Sequence, residues 1–177
     1  MMRRAGLAAG IAIVLTMALA LIGCSNSVTL DRQVTIGGMT LKVPSNFVET
    51  VDDYSSGSTT DVSYRYTDQE SKGIYVSVSN SKYSLQRTVE DELDSFKETC
   101  TLDANAHDVY TNIVSEGIID GAQVTICEEG MQTTDKGGKE YKMDFTVAYI
   151  FNSKAHYEIT VYGDGVSIDD VLKTVSL

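Results

Sequence analysis

Apolar and polar residues alternate strictly along several segments of this chain, and two-residue turns separate those segments. This pattern limits what the chain can fold into more than any other feature. Tyr141, Met143, Phe145, Val147, Tyr149 and Phe151 alternate with Lys142, Asp144, Thr146 and Ala148. Side chains two apart share one face of a strand, so the segment reads as a long strand with one face turned to a core. Its return partner is Tyr157-Glu158-Ile159-Thr160-Val161, which follows Asn152-Ser153-Lys154. Val62, Tyr64 and Tyr66 alternate with Ser63, Arg65 and Thr67, and Ile74, Val76 and Val78 with Tyr75, Ser77 and Ser79. Gly37-Gly38 joins residues 33–36 to 39–43, and Asp120-Gly121 joins 110–119 to 122–129. Such links make the tight turns of antiparallel hairpins. Pro44, the only proline, has no N–H for a ladder and ends the first hairpin. Serine, glycine and aspartate crowd residues 52–60, which read as a polar surface loop.

Helices interrupt this pattern twice. Leu85, Val89, Leu93, Phe96 and Cys100 recur at helical spacing, predicting one long helix over about residues 85–100 with Ser84 as its N-cap. A short C-terminal helix is expected over about 167–176. Ser167 caps it, Asp169 and Asp170 suit its positive end, and Ile168, Val171, Leu172 and Val175 form its apolar stripe. The expected fold is α+β, a twisted antiparallel sheet of about six to eight strands with the helices packed on it.

The start of the chain follows another logic. Arg3 and Arg4 precede an uncharged stretch, 5–23, that runs into Leu21-Ile22-Gly23-Cys24. A basic start, an apolar middle and a small residue before a cut are the parts of a secretory signal. A stretch of this length also suits an uncleaved membrane anchor. Leu21-Ile22-Gly23-Cys24 resembles the lipobox of bacterial lipoproteins. That resemblance implies cleavage between Gly23 and Cys24, a diacylglyceryl group on Cys24 (often with a further acyl chain) and an extracytoplasmic domain anchored to the cell membrane. If the cell has an outer membrane, that membrane is an alternative site. Residues 1–23 are then the signal peptide, 24–32 the lipidated cysteine and a short tether, and 33–177 a single globular domain. Two acyl chains anchor a protein stably where one does not. Removing 1–23 takes away two of the 14 basic residues and no acid, which leaves 25 acidic against 12 basic residues and a net charge of −13. So acidic a domain is repelled by nucleic acid and by anionic lipid. The lipid on Cys24 is therefore its expected route to the membrane, and no nucleic-acid partner is expected.

A second resemblance rests on Met39-Thr40-Leu41-Lys42-Val43-Pro44-Ser45-Asn46-Phe47 and on Ile168-Asp169-Asp170-Val171-Leu172-Lys173. Both are similar to segments of the PsbP-like fold, found in photosystem extrinsic proteins and in many small bacterial lipoproteins. Phe47 stands where that family usually has tryptophan. The resemblance implies a non-enzymatic binding scaffold and carries no functional residue onto this chain.

Residues able to carry chemistry are few. His107 and His156 lie far apart, and no HExxH, CxxC, GxSxG or P-loop pattern is present. No catalytic residue, metal ligand or cofactor is assigned. The run from Asp103 places Asp108 and Val114 where a calcium loop needs glycine and glutamate. Glu128 and Glu129 are neighbours, so a strand sends them to opposite faces. Asp135-Lys136-Gly137-Gly138-Lys139 reads as a hairpin tip. Outside the cytoplasm Cys100 and Cys127 could form a disulfide, closing a loop of about 28 residues for roughly 3 kcal/mol. Ala122, Val124 and Ile126 share the face opposite Cys127, so that bond needs a bulge, a strand end or a helix on the second face. Tyr64, Tyr66, Tyr141 and Tyr149 suit a core. Tyr54, Tyr75 and Tyr162 fall off the apolar faces and are candidates for an aromatic partner surface. The whole reads as a membrane-anchored lipoprotein with a non-catalytic binding or accessory domain that engages a protein of the cell envelope. A lipoprotein that binds a small molecule or cation is the alternative, and an envelope hydrolase is the third reading.

Overall fold

The computed structural model describes residues 28–68 and 72–177. Gly23 and Cys24, with the rest of the lipobox, lie outside these residues. The elements follow in the order β1 (Arg32–Ile36), β2 (Met39–Val43), β3 (Val48–Asp53), β4 (Asp61–Thr67), β5 (Gly73–Ser79), α1 (Val89–Thr101), β6 (Ala106–Ile119), β7 (Ala122–Thr134), β8 (Glu140–Phe151), β9 (His156–Tyr162) and α2 (Ile168–Leu172). Seven strands form one antiparallel sheet in the order β3-β4-β5-β9-β8-β7-β6, while β1 and β2 pair only with each other. The fold is α+β.

Apolar side chains leave both faces of β8, and the sheet is covered on each side. On the first face Ile74, Val76, Val124, Ala148, Ile150, Ile159 and Val161 are buried. The β1–β2 hairpin covers them with Ile36, Met39, Leu41 and Val43, and α2 adds Ile168 and Val171. Complete burial of a side chain such as Leu41 is worth roughly 2–3 kcal/mol. On the second face α1 lays Val89 and Leu93 over Cys127, Val147 and Tyr149. The alternation along 141–151 thus marks one of two buried faces rather than a single apolar face. Ala148 and Ile150, on the opposite face from Val147 and Tyr149, are completely buried. The alternation does stop having a partner layer at its start: Tyr141 and Met143 are exposed, on a part of β8 that pairs with β7 alone.

Several boundaries differ from the sequence reading. Residues 48–53 form an edge strand, β3, of which most residues are exposed, so no apolar pattern advertises it. The helix begins at Val89, not near 85. Thr88 is its N-cap, with a reciprocal capping box between Thr88 and Asp91. Ser84 instead lies in a 3-10 turn, Ser84–Gln86, where its hydroxyl donates to Ser79 Oγ at 2.7 Å. Leu85 is exposed and leaves the helical stripe. The terminal helix ends at Leu172, and Ser176 then exchanges backbone hydrogen bonds with Thr40 of β2 at 2.7 and 2.9 Å. Val28, the first described residue, donates its N–H to Gly165 O at 3.0 Å, and both Val28 and Leu30 pack against the first core.

The β1–β2 turn lies tightly on the sheet. Tyr157 OH donates to Gly37 O at 3.1 Å. Gly37 has φ +53°, and a Cβ there would stand 2.4 Å from Val78 Cγ1. Gly38 has φ +91° but open space around it. Gly38→Ala is therefore expected to cost only the left-handed backbone penalty, about 1 kcal/mol, while Gly37→Ala adds displacement of Val78 and costs at least about 2 kcal/mol. Urea unfolding of the two variants measures the difference, and equal losses would contradict the close contact.

Candidate functional site

The second face of the sheet carries an ordered set of polar and aromatic residues, because strand register stacks them in rows. One row runs Gly73, Tyr162, Phe145, Glu129 across β5, β9, β8 and β7. The next runs Arg65, Tyr75, Thr160, Val147, Cys127, beginning on β4. A third runs Ser77, Glu158, Tyr149, Thr125, and a fourth Ser79, His156, Phe151, Gln123. A helix of 13 residues is about 20 Å long and one helix wide. It closes the β7–β8 half and leaves Tyr75, Ser77 and Glu158 partly open beside it.

Near its start α1 holds an ion pair. Arg87 Nε stands 2.5 Å from Glu92 Oε1, and His156 Nδ1 is 3.5 Å from the same oxygen. Burial, and after it the adjacent Arg87 charge, together push the His156 imidazole down to about 4, so the ring is neutral near pH 7. Arg87 is then the cation that pairs with Glu92. The His156 ring stacks on Phe151, with centroids 4.4 Å apart. His156 Nε2 and Thr125 Oγ1 are buried without a protein hydrogen-bond partner. His107, the other histidine, lies by the chain at Asn105 O, 3.2 Å away.

Two further carboxyl groups lie deeper along the helix. Glu129 is only 3% exposed and accepts a hydrogen bond from Tyr149 OH at 2.7 Å. Burial first, then the charges of Glu158 and Glu92, push its carboxyl up to about 7 against the opposing effect of the Tyr149 hydrogen bond. Glu158 accepts from Thr160 Oγ1 at 2.9 Å and from Ser77 Oγ at 3.5 Å, and burial raises it as well. Glu128 points away and is exposed, so the neighbouring glutamates part as their strand requires. Among the described residues no three His, Cys, Asp or Glu side chains are placed to hold a metal ion. Neither histidine there has a serine, threonine or cysteine as hydrogen-bond partner.

Cys100 and Cys127 are both buried free thiols rather than a disulfide. A helix does lie on the second face, as the bond would need. However, Cys127 clusters with Val89 and Leu93, whereas Cys100 is seven residues beyond Leu93, about 10 Å along the helix axis. Burial raises both thiols, Cys127 to about 11, which keeps them protonated. The tyrosines divide differently from expectation. Tyr66 and Tyr149 are core residues, but Tyr141 is exposed. Tyr75 and Tyr162 come together on the second face, while Tyr54 stands apart in the loop after β3. Residues 135–139 are a hairpin tip, with Asp135 Oδ1 accepting from the N–H of Gly137 and Lys139 at 2.8 and 2.9 Å.

No protein-family model matches this sequence. No curated protein matches it either. Among solved structures, the chain is similar to cyanobacterial PsbP (CyanoP) from Synechocystis sp., a solution structure. The match has a TM-score of 0.54 and 11% sequence identity over 90% of this chain and 98% of that one. The fold is PsbP-like. At this identity the likeness concerns the backbone arrangement, and the residues beneath α1 must be read on their own chemistry. Among the described residues no helix is long and apolar enough to cross a membrane.

The buried groups fix a pH dependence. Glu129 titrates near 7 when folded and near 4.5 when unfolded, so its stabilising effect is full below about 4.5 and is lost as pH rises through 7. His156 runs the other way: its effect is present above 6.5 and is lost as pH falls through about 4. Glu129→Gln, which keeps an acceptor for Tyr149, is expected to be more stable than wild type at pH 8, by roughly 1–3 kcal/mol, with the gap closing toward pH 5. His156→Gln should flatten the loss between 6.5 and 4. Urea unfolding at pH 5, 6.5 and 8 reads both effects, and stability curves parallel to wild type would refute them.

Proposed function

We propose that this protein is an exported lipoprotein whose domain is a non-catalytic binding or accessory module held close to the membrane by lipid on Cys24. The observation that carries this reading is the spacing between the lipobox and the folded domain. Cys24 is followed by three residues, 25–27, and then by Val28, which is already hydrogen-bonded to Gly165. Four residue steps reach at most about 14 Å. A domain on so short a tether works at the bilayer surface rather than across a wide gap. Its net charge keeps it from lying flat on anionic lipid, so the lipid carries the attachment. The PsbP-like fold supports a binding role over a catalytic one, as do neutral, buried His156 and two protonated thiols. A protein of the cell envelope is the partner this placement suits best.

Expression of the full chain in a bacterial host tests the reading. The mature protein is expected to begin at Cys24 and to carry diacylglyceryl mass, labelled by palmitate. Cys24→Ser should leave unlabelled precursor that retains residues 1–23. Crosslinked membranes should yield an enriched envelope protein with wild type and lose it with Cys24→Ser. An unmodified mature chain would overturn the anchoring, and wild type without an enriched partner would overturn the accessory role.

A further inference from the structure

The open half of the second face contains a notch of about 300 Å³ beside α1. Its walls are aromatic: Tyr75 from β5, Phe96 from α1, Phe145 from β8 and Tyr162 from β9. Phe145 meets Phe96 and Tyr162 edge to face, with centroids 6.4 Å apart in each case. The Tyr162 ring lies over Gly73, where a Cβ would come within 2.3 Å of its hydroxyl oxygen, so a glycine on the neighbouring strand makes room for this wall. Glu129 and Glu158 line the same notch. Each accepts hydrogen bonds only from hydroxyl groups. Neither is in a salt bridge among the described residues. The one basic residue lining the notch, Arg65, is paired with Asp52 at 3.3 Å.

Two carboxyl groups without a salt-bridge partner, Glu129 buried and Glu158 half-buried, behind a wall of aromatic rings, select strongly among ligands. An anion is repelled. A neutral apolar molecule would bury the carboxylates further without compensating them. Hard metal cations need six or more oxygen ligands, and rings cannot supply these. An alkylated ammonium group is weakly hydrated, is attracted to the faces of tyrosine and phenylalanine, and gains from nearby negative charge without needing a hydrogen bond to every proton. The notch is at the small end of the range for ligand sites, which suits a head group rather than a large molecule.

We propose that this notch binds a small alkylammonium solute, with Tyr75, Phe96, Phe145 and Tyr162 enclosing the cation and Glu129 and Glu158 supplying its counter-charge. The site does not depend on the lipid anchor or on the accessory role. Binding is coupled to protons, because the carboxyl groups must ionise to hold a cation. The groups facing them are Glu92 and Cys100 from α1, Cys127 from β7, Tyr149 from β8, Tyr162 from β9, Tyr75 from β5 and Arg65 from β4, with Arg87 before the helix. With Glu129 raised to about 7, affinity should increase from pH 6 to pH 8.

The test is an NMR titration of the full chain in a maltoside detergent, with tetramethylammonium, choline and the neutral choline isostere 3,3-dimethylbutanol as probes. Saturable shifts at the rings of Tyr75, Phe96 and Tyr162 are expected with the ammonium probes and not with the alcohol. Glu158→Gln should weaken binding about 10-fold and reduce its pH dependence. Tyr75→Leu, at a half-buried wall where the fold is least at risk, should weaken it about 5-fold. No saturable shift with either ammonium probe would overturn the proposal. So would equal binding of the alcohol, or unchanged affinity in a folded Tyr75→Leu chain.

Discussion

Strand β8 carries apolar side chains on both faces, and the rest of the architecture follows from the need to keep both faces dry. The first face is wide and almost wholly apolar. The β1–β2 hairpin, α2 and the last residues of the chain close it together, and the chain end is tied to β2 by the Thr40–Ser176 pair. The turn at Gly37 lies against Val78 so closely that only glycine fits both its backbone angle and its space. The second face has one cover, α1, and a single helix is narrower than the sheet beneath it.

That mismatch in width explains where the chemistry of the molecule gathers. Where α1 sits squarely on β7 and β8, the face is filled by Val89, Leu93, Cys127 and Val147. At its margin, polar side chains on β5 and β9 are neither fully buried nor freely solvated. Glu129 lies under the helix with one hydroxyl partner, and Glu158 lies beside it with two. Desolvation acts on both and raises both. Arg87 is ion-paired with Glu92 and Arg65 with Asp52; the Arg87 charge opposes the rise of Glu158 without outweighing burial. Such an arrangement lowers stability at high pH, a cost that a bound cation or a proton relieves.

Strands and hairpin turns were legible in the sequence because alternation and Gly-Gly or Asp-Gly links are local signals. The edge strand β3 was not, since a strand exposed on most of its length needs no apolar pattern. The helix start was readable in principle: Thr88 and Asp91 have capping-box spacing, but the serine at 84 and the apolar Leu85 extended the apparent stripe by a turn. Burial of both faces of β8 was hidden in plain alternation, because the small Ala148 and the lone Ile150 look like the polar side of an amphipathic strand. The separation of Glu128 from Glu129 followed from adjacency alone. The partner of Glu129, Tyr149, is 20 residues away on the next strand, and the juxtaposition of Tyr75 with Tyr162 depends on the β5–β9 pairing. Both belong to the topology, which no local pattern encodes.

Helix α1 holds Glu129 out of water without a cation to balance it. Side-chain carboxyl ¹³C NMR of the full chain, with pH stepped from 4 to 9, observes this group directly. A Glu129 midpoint near 7 is expected, well above the ordinary glutamate value of 4.5. A midpoint at about 4.5 would mean that the carboxylate is solvated or paired, and would contradict both the closed second face and the uncompensated charge beneath it.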